Sequence, residues 1–417
     1  MKFTKLRLPT LVLLLSGWTA SAQVPDAPDL QKAFVSFRMT TETLAVNEPS
    51  KEALAEWYLN MINMDRVVVN DLLQKDINRD YPRAERLAFL IVNTAVSAWL
   101  TDILYTPMHE RAHAEAAAAN GATSTWFSTH SKPQDRVTIG ELYLKMIGGD
   151  LGGMTHFSGE LTRVGNARFE AAGLNQQALF AEELSFQTVE NGNFNVSDYV
   201  HYFANKMSIP IYYVALKHDP TSDLTHYATD LSQLGKTPGL DNAGATRKMF
   251  QYSMASALLS GRGWEGFHAM VNYVQTGNTQ VDTMSFQTPL GEISWPEITT
   301  FLNDMGISIK AETRLKTSET RSTYLSVEKS VVGDQIIEVG AGEKFVVGST
   351  TLSAGVVASS QKRYGIKLGF LRDLDGKHRW FLFGDVDRDN GTLDGLRLNY
   401  QNDKPVTRAN VGVGYRN

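Results

Sequence analysis

Residues 106–115 read TPMHERAHAE and contain the pattern H-E-x-x-H. On a helix, His109 and His113 lie one turn apart on the same face, because four residues complete about one turn. Two imidazoles in this position can share one Zn²⁺. Glu110 would then lie beside the metal, where its carboxylate can take a proton from water. The stretch therefore predicts a metal-dependent hydrolytic site.

The residues around the motif predict the helix that the motif requires. Thr106 can cap the N-terminus of a helix, and Pro107 suits the first helical position. The alanines that follow favour helix, and Asn120-Gly121 is a stop signal. We therefore predict a discrete helix of about 13 residues. The alternative interpretation is an ordinary alanine-rich helix that carries two half-buried histidines and no metal.

The N-terminus predicts export from the cytoplasm. Residues 1–22 combine three basic residues, an apolar run at 8–17 and a small-x-small cleavage site at Ala20-Ser21-Ala22. The apolar run is too short for a stable membrane anchor. We interpret residues 1–22 as a secretory signal peptide, with an uncleaved anchor as the alternative. The expected location is the periplasm or the outer membrane of a bacterium.

Composition restricts the partners and the compartment. The formal net charge is −5, and removal of the three basic residues of the signal peptide would change it to −8. This charge argues against nucleic acid as a partner and against electrostatic binding to an anionic membrane. The chain has no cysteine, so an exported form has neither disulfides nor a lipidated N-terminal cysteine. A bacterial envelope protein fits these properties.

The hydrophobic period changes along the chain and predicts an α+β protein. Residues 23–305 show mainly helical spacing and form the expected metallopeptidase domain. Residues 306–417 alternate apolar and polar side chains between turn signals, as in residues 364–370 and 396–400. We predict about eight antiparallel strands there, arranged as a soluble sandwich or small barrel, or as a small outer-membrane barrel.

Two segments offer possible contact with a membrane. One is the β-rich region 306–417, if its apolar face meets lipid. The other is the almost continuously apolar span 87–104, which is near the lower length limit for a transmembrane helix. A buried core helix is the alternative explanation for that span.

The motif resembles that of the zincin metallopeptidases. Arg111 and Glu115 depart from the strict form, which prefers uncharged and apolar residues at these positions. A catalytic zinc site usually has three protein ligands, so a third ligand must join His109 and His113. The metzincin pattern is excluded because Ala116 and Ala119 occupy its glycine and third-histidine positions.

Two further resemblances suggest the third ligand. In the gluzincins it is a glutamate on a later helix, and Glu170 stands in a similar context, with Glu182 and Glu183 as other options. The order of features also resembles that of the site-2 protease-like peptidases, in which an A-G-P-x-x-N motif precedes an aspartate ligand. Gly173 matches the glycine of that motif, and Asn175 lies one place before its asparagine. This resemblance implies Asp223 as the ligand, with Asp219 as the alternative.

These observations predict a zinc-dependent peptidase of the bacterial cell envelope that acts on peptide or protein substrates. Zn²⁺ would be held by His109, His113 and Asp223, and Glu110 would be the catalytic base. The alternative is a non-catalytic envelope or outer-membrane protein with a helical binding domain and a β-barrel anchor. No oligomeric state is predicted.

Overall fold

A computed structural model describes residues 36–40, 50–67, 81–129, 135–149, 152–216, 219–318, 320–374, 380–389 and 406–416. The predicted signal peptide and the predicted strand at 396–400 lie outside these residues. The helices are α1 (Lys51–Val67), α2 (Arg83–Ala119), α3 (Ile139–Ile147), α4 (Arg163–Asn191), α5 (Asp198–Lys206), α6 (Ser208–Leu216), α7 (Asp223–Gln233), α8 (Asn242–Leu259) and α9 (Gly261–Thr276).

Short strands accompany the helices, and longer ones dominate the C-terminal part. They are β1 (Ser36–Thr40), β2 (Ser124–Ser128), β3 (Met154–Ser158), β4 (Asn193–Asn195), β5 (Gln280–Asp282), β6 (Ser285–Thr288), β7 (Gly291–Ser294), β8 (Glu297–Asn303), β9 (Gly306–Ser318), β10 (Arg321–Gly333), β11 (Ile337–Val347), β12 (Thr350–Ser359), β13 (Tyr364–Asp373), β14 (Trp380–Asp389) and β15 (Val406–Arg416). The predicted α+β class, with a helical region before an antiparallel sheet, is confirmed.

The large sheet has eleven strands within the described residues. Its order is β1-β15-β14-β13-β12-β11-β10-β9-β7-β6, and β8 also pairs with β9. These eleven described strands form one sheet that is not closed into a barrel, so the predictions of a sandwich of two sheets and of a small barrel are wrong. The reason is that α1 and α4, rather than a second sheet, lie against one face of these strands. The predicted boundary between residues 305 and 306 falls at the turn between β8 and β9.

The H-E-x-x-H motif lies on one long helix rather than on a short separate one. Helix α2 runs without interruption from Arg83 to Ala119 and includes Pro107 in its interior. The prediction that Thr106 caps a new helix is therefore wrong. Proline removes one helical hydrogen bond and strains its turn. Buried contacts on both sides of it, including those of Ile103 and Met108, hold the two halves in one core.

Helix α2 is the one described helix whose length and apolar composition would suffice to cross a membrane. A core helix of a soluble protein meets the same criterion. In the most apolar window of α2, 28% of the residues are buried inside the protein. Its second half, by contrast, is buried around His109 and Glu110.

Helix α4 is the central element that brings α2 and α7 together. Ala112 and Ala116 of α2 pack against Ala172 of α4, and all three are buried. Small side chains allow two helices to approach closely, which explains the alanine run after the motif. On its other side α4 contacts α7, where Leu224 and Leu231 belong to a second core. The start of α7 is thereby brought to the histidine pair.

Candidate metal centre

Three potential ligand atoms converge between α2 and α7. The Nε2 atoms of His109 and His113 are 2.9 Å apart. The Oδ2 atom of Asp223 lies 3.1 Å from Nε2 of His109 and 3.3 Å from Nε2 of His113. Tetrahedral zinc with bonds of about 2.0–2.1 Å separates its ligand atoms by roughly 3.3–3.4 Å. The spacing of the three atoms and their N₂O chemistry therefore fit a divalent metal ion.

Local structure explains why the aspartate is at this position. Asp223 is the first residue of α7, and the side chain of the N-cap residue Ser222 accepts a hydrogen bond from the backbone N–H of Thr225. The helix therefore begins directly after the sequence Pro220-Thr221-Ser222. Its first turn carries a carboxylate, as the helix dipole favours. Contact of α7 with α4 then directs this turn toward the motif.

A second layer of contacts orients the two imidazoles. Nδ1 of His113 donates to the carbonyl oxygen of Phe169 at 2.6 Å, so that deprotonated Nε2 would offer its lone pair to a metal ion. Metal-binding histidines are commonly fixed in this way. His109 lies between two aromatic rings, those of Tyr105 and Tyr212. The hydroxyl of Tyr212 is 3.2 Å from Nε2 of His109.

Gly173 makes room for His109. A Cβ atom at position 173 would lie 2.4 Å from Cε1 and Nε2 of His109, far inside van der Waals contact. Glycine in a helix interior costs about 1 kcal/mol relative to alanine, and here it allows the imidazole to reach the ligand position. Asn175, which the same resemblance singled out, has a different place: its side-chain amide pairs with the backbone of Leu302 in β8.

Glu110 lies beside the three ligands and under β3. The hydroxyl of Thr155 in β3 is 2.7 Å from Oε2 of Glu110 and donates a hydrogen bond to it. Gly153, just before β3, approaches so closely that a Cβ atom there would lie 2.8 Å from Cγ of Glu110. Thr155 was not predicted, because nothing in its local sequence relates it to residue 110.

The other carboxylates considered as ligands have partners elsewhere. Glu170 is the nearest alternative, since it faces His226 at 3.2 Å and interacts electrostatically with His113. The remaining three contact residues outside the centre: Asp219 with Thr221, Glu182 with Lys310, and Glu183 with Gln187. Within the described residues, His109, His113 and Asp223 form the group whose ligand atoms all lie within 4.8 Å of one another.

The electrostatics of the group favour a bound cation. Burial by itself would raise the pKa of Asp223, but the two imidazoles more than offset this effect and hold the pKa well below its usual value. Burial by itself would lower the pKa of His113, yet the Asp223 carboxylate raises it to about 9. Without a metal, a proton on His113 therefore partly neutralises the carboxylate.

We expect zinc affinity to rise with pH because the metal must displace this proton. Zinc binds neutral imidazole, and a pKa of about 9 keeps His113 protonated at neutral pH in the metal-free protein. One displaced proton corresponds to an increase in apparent affinity of about tenfold per pH unit between roughly pH 6 and 8. Competition with a zinc-binding dye, corrected for its own titration, measures the slope. Affinity independent of pH over this range would contradict the prediction.

No family model, curated protein or solved structure matches this chain. The resemblance to the zincins therefore depends on the motif residues His109, Glu110 and His113 themselves. The chemistry of the centre follows from the geometry of these side chains and of Asp223.

Proposed function

We propose that this protein is a zinc-dependent peptidase of the bacterial cell envelope. The observation that carries the proposal is the convergence of His109, His113 and Asp223 beside a buried carboxylate, that of Glu110, which is 6% exposed. Two neutral nitrogen donors and one carboxylate are the ligand set of many catalytic zinc sites. An adjacent carboxylate that is not itself a ligand is the usual proton acceptor of such sites.

The two charged residues inside the motif do not oppose this function. Arg111 and Glu115 pair with each other at 3.3 Å. Glu115 also accepts a hydrogen bond from the backbone N–H of Lys51 at 2.9 Å. They therefore lie on the side of α2 that faces α1, away from the two histidines. The departure from the strict zincin pattern concerns the packing of α2 rather than the chemistry of the centre.

The residues of the centre have distinct roles in peptide hydrolysis. A bound Zn²⁺ would supply a Lewis acid that activates water and polarises the peptide carbonyl. Glu110 accepts the proton of the attacking water and delivers it to the leaving amine nitrogen. Thr155 holds Oε2 of Glu110 in place through its hydroxyl. Burial raises the pKa of Tyr212, so its hydroxyl keeps its proton and can donate a hydrogen bond to the substrate oxygen.

Metal analysis and proteolysis test the proposal together. Purified protein should contain about one zinc per chain and should cleave an unfolded protein such as casein until a chelator removes the metal. His113→Ala should lose zinc affinity by more than about 100-fold, whereas His268→Ala, at an exposed position, should retain it. A protein without zinc, whose stability does not respond to chelator, would favour the non-catalytic alternative.

A further inference from the structure

The two faces of the large sheet have opposite polarity. We call the face that points away from α1 and α4 the outer face. Most of its side chains in β10–β15 are apolar, and many are about half exposed. One from each strand illustrates this: Val327, Val339, Val356, Leu368, Val386 and Val413. The strand registers place these residues on one face of the sheet, with Val327 opposite Val339 and Leu368 opposite Val386. The result is a continuous apolar surface that no described element covers. The same face also carries Arg321 and Glu343, which pair with each other, and Lys329, Arg372 and Arg388.

The inner face carries several charged residues that surround a cavity. Glu328 and Glu338 are buried and stand opposite each other on β10 and β11. Together with Lys367 and Asp385 they line a cavity of about 590 Å³ between the sheet and helices α1 and α4. A sheet with water on one face usually carries polar residues on that face and apolar residues on the face toward the core. This sheet has the reverse arrangement, which is the pattern of strands that face lipid.

The dimensions of the outer face match a lipid bilayer. Strands β10–β15 have 10 to 13 residues, and a strand of about 9–11 residues crosses the hydrocarbon layer. Tyr364 and Trp380 begin adjacent antiparallel strands and so stand at opposite rims, both about half exposed. Aromatic side chains at the two rims are typical of the interfaces between lipid and water.

The ends of the sheet are compatible with lipid on the outer face. An unpaired strand edge is not tolerated in hydrocarbon, because its backbone groups lack hydrogen-bond partners. Strand β8 is buried along almost its whole length and packs against α4 and α8. At the other end, β1 lies against α1. The described sheet therefore contacts the helical region through β8 and β1, while β6, the terminal strand beside β7, is exposed along its length.

We propose that the outer face of β10–β15 is embedded in the hydrocarbon of a lipid bilayer and anchors the protein there. The binding is hydrophobic rather than electrostatic, because the chain is acidic overall. It therefore requires neither anionic lipid nor low salt. This inference is independent of the metal centre, since none of the ligands belongs to the sheet.

Site-specific labelling tests the proposal directly, because the chain contains no cysteine. Single cysteines replace Val356 and Leu368 on the outer face, and Ser353 and Lys367 on the inner face of the same two strands. Each variant carries a fluorophore, and the full chain is folded from urea with phosphatidylcholine vesicles. Brominated acyl chains should quench most of the fluorescence of the outer labels and little of that of the inner labels. Equal quenching on both faces, or none, would overturn the proposal.

The second measurement is the vesicle binding of a variant that carries a charged substitution on the outer face. Leu368→Arg should weaken binding to phosphatidylcholine vesicles by about 30-fold or more, because arginine in the hydrocarbon layer is strongly unfavourable. Lys367→Arg, at the adjacent inner position, should bind as the wild type does. Circular dichroism confirms that both variants fold. Unchanged binding of Leu368→Arg would contradict the proposal. If a second copy of the chain shields the outer labels in the absence of lipid, the outer face is a dimer interface and the proposal is overturned.

Discussion

The Glu110→Gln variant is expected to bind zinc as the wild type does and to hydrolyse peptide bonds about 100- to 10,000-fold more slowly. Glutamine has nearly the shape of glutamate and can keep the contact with Thr155, which lies 2.7 Å from Oε2. Its amide cannot accept the proton of the attacking water. The variant therefore removes the base while it leaves the ligands in place. Zinc content and the initial rate of casein cleavage, measured on the same preparation, give the two quantities.

A neighbouring residue on the same helix provides the control for this variant. Arg111→Gln removes a charge from the motif, but Arg111 pairs with Glu115 on the side of α2 away from the ligands. We expect it to retain both zinc and activity. Equal hydrolysis by the wild type and Glu110→Gln would refute the role of Glu110 as base. Loss of zinc from Glu110→Gln would instead show that its carboxylate maintains the centre.

The Asp223→Asn variant is expected to lose zinc affinity by more than about 100-fold. An amide oxygen has the size of the carboxylate oxygen but lacks its negative charge, which balances the metal ion. The Oδ2 atom that would be replaced lies within 3.3 Å of both imidazole nitrogens. Isothermal titration of the metal-free protein with zinc measures the change. Since Asp223 is the first residue of α7, circular dichroism should accompany the titration to show that the helix persists.

Asp219→Asn is the matched control for this second variant. Asp219 lies four residues before Asp223, in the loop that precedes α7. Its carboxylate accepts hydrogen bonds from the backbone and side chain of Thr221. The substitution should leave zinc affinity unchanged. If Asp223→Asn bound zinc normally and Glu170→Gln did not, the third ligand would be Glu170, the carboxylate that faces His226 nearby.

The parts of the centre that the sequence predicts are those with local signals. The helical spacing of His109 and His113 places both imidazoles on one face without any knowledge of the fold. The beginning of α7 is also local, because Ser222 caps the helix that Asp223 opens. The period-2 alternation correctly predicts strands such as β13 and β15. Each of these features depends on contacts within a few residues of the chain.

The features that were missed depend on distant contacts. Thr155 and Tyr212 reach Glu110 and His109 only because β3 and α6 are folded against the motif. The continuity of α2 through Pro107 results from the core on both sides of it, which overrides the local preference for a break. Alternation along a strand likewise predicts two different faces but does not indicate whether a sheet, a helix or lipid covers each one. The open sheet could not be distinguished from a barrel on that basis.

The pairing of β1 with β15 has a consequence for the order in which the protein is built. Strands β9 to β14 each pair with a strand that is close in sequence, so these hairpins can form while the chain is still being synthesised or translocated. Ser36, however, pairs with Arg416, nearly the whole length of the chain away. The edge of β1 that pairs with β15 must therefore remain unpaired until β15 has emerged. Completion of the sheet is therefore a late event that depends on β15.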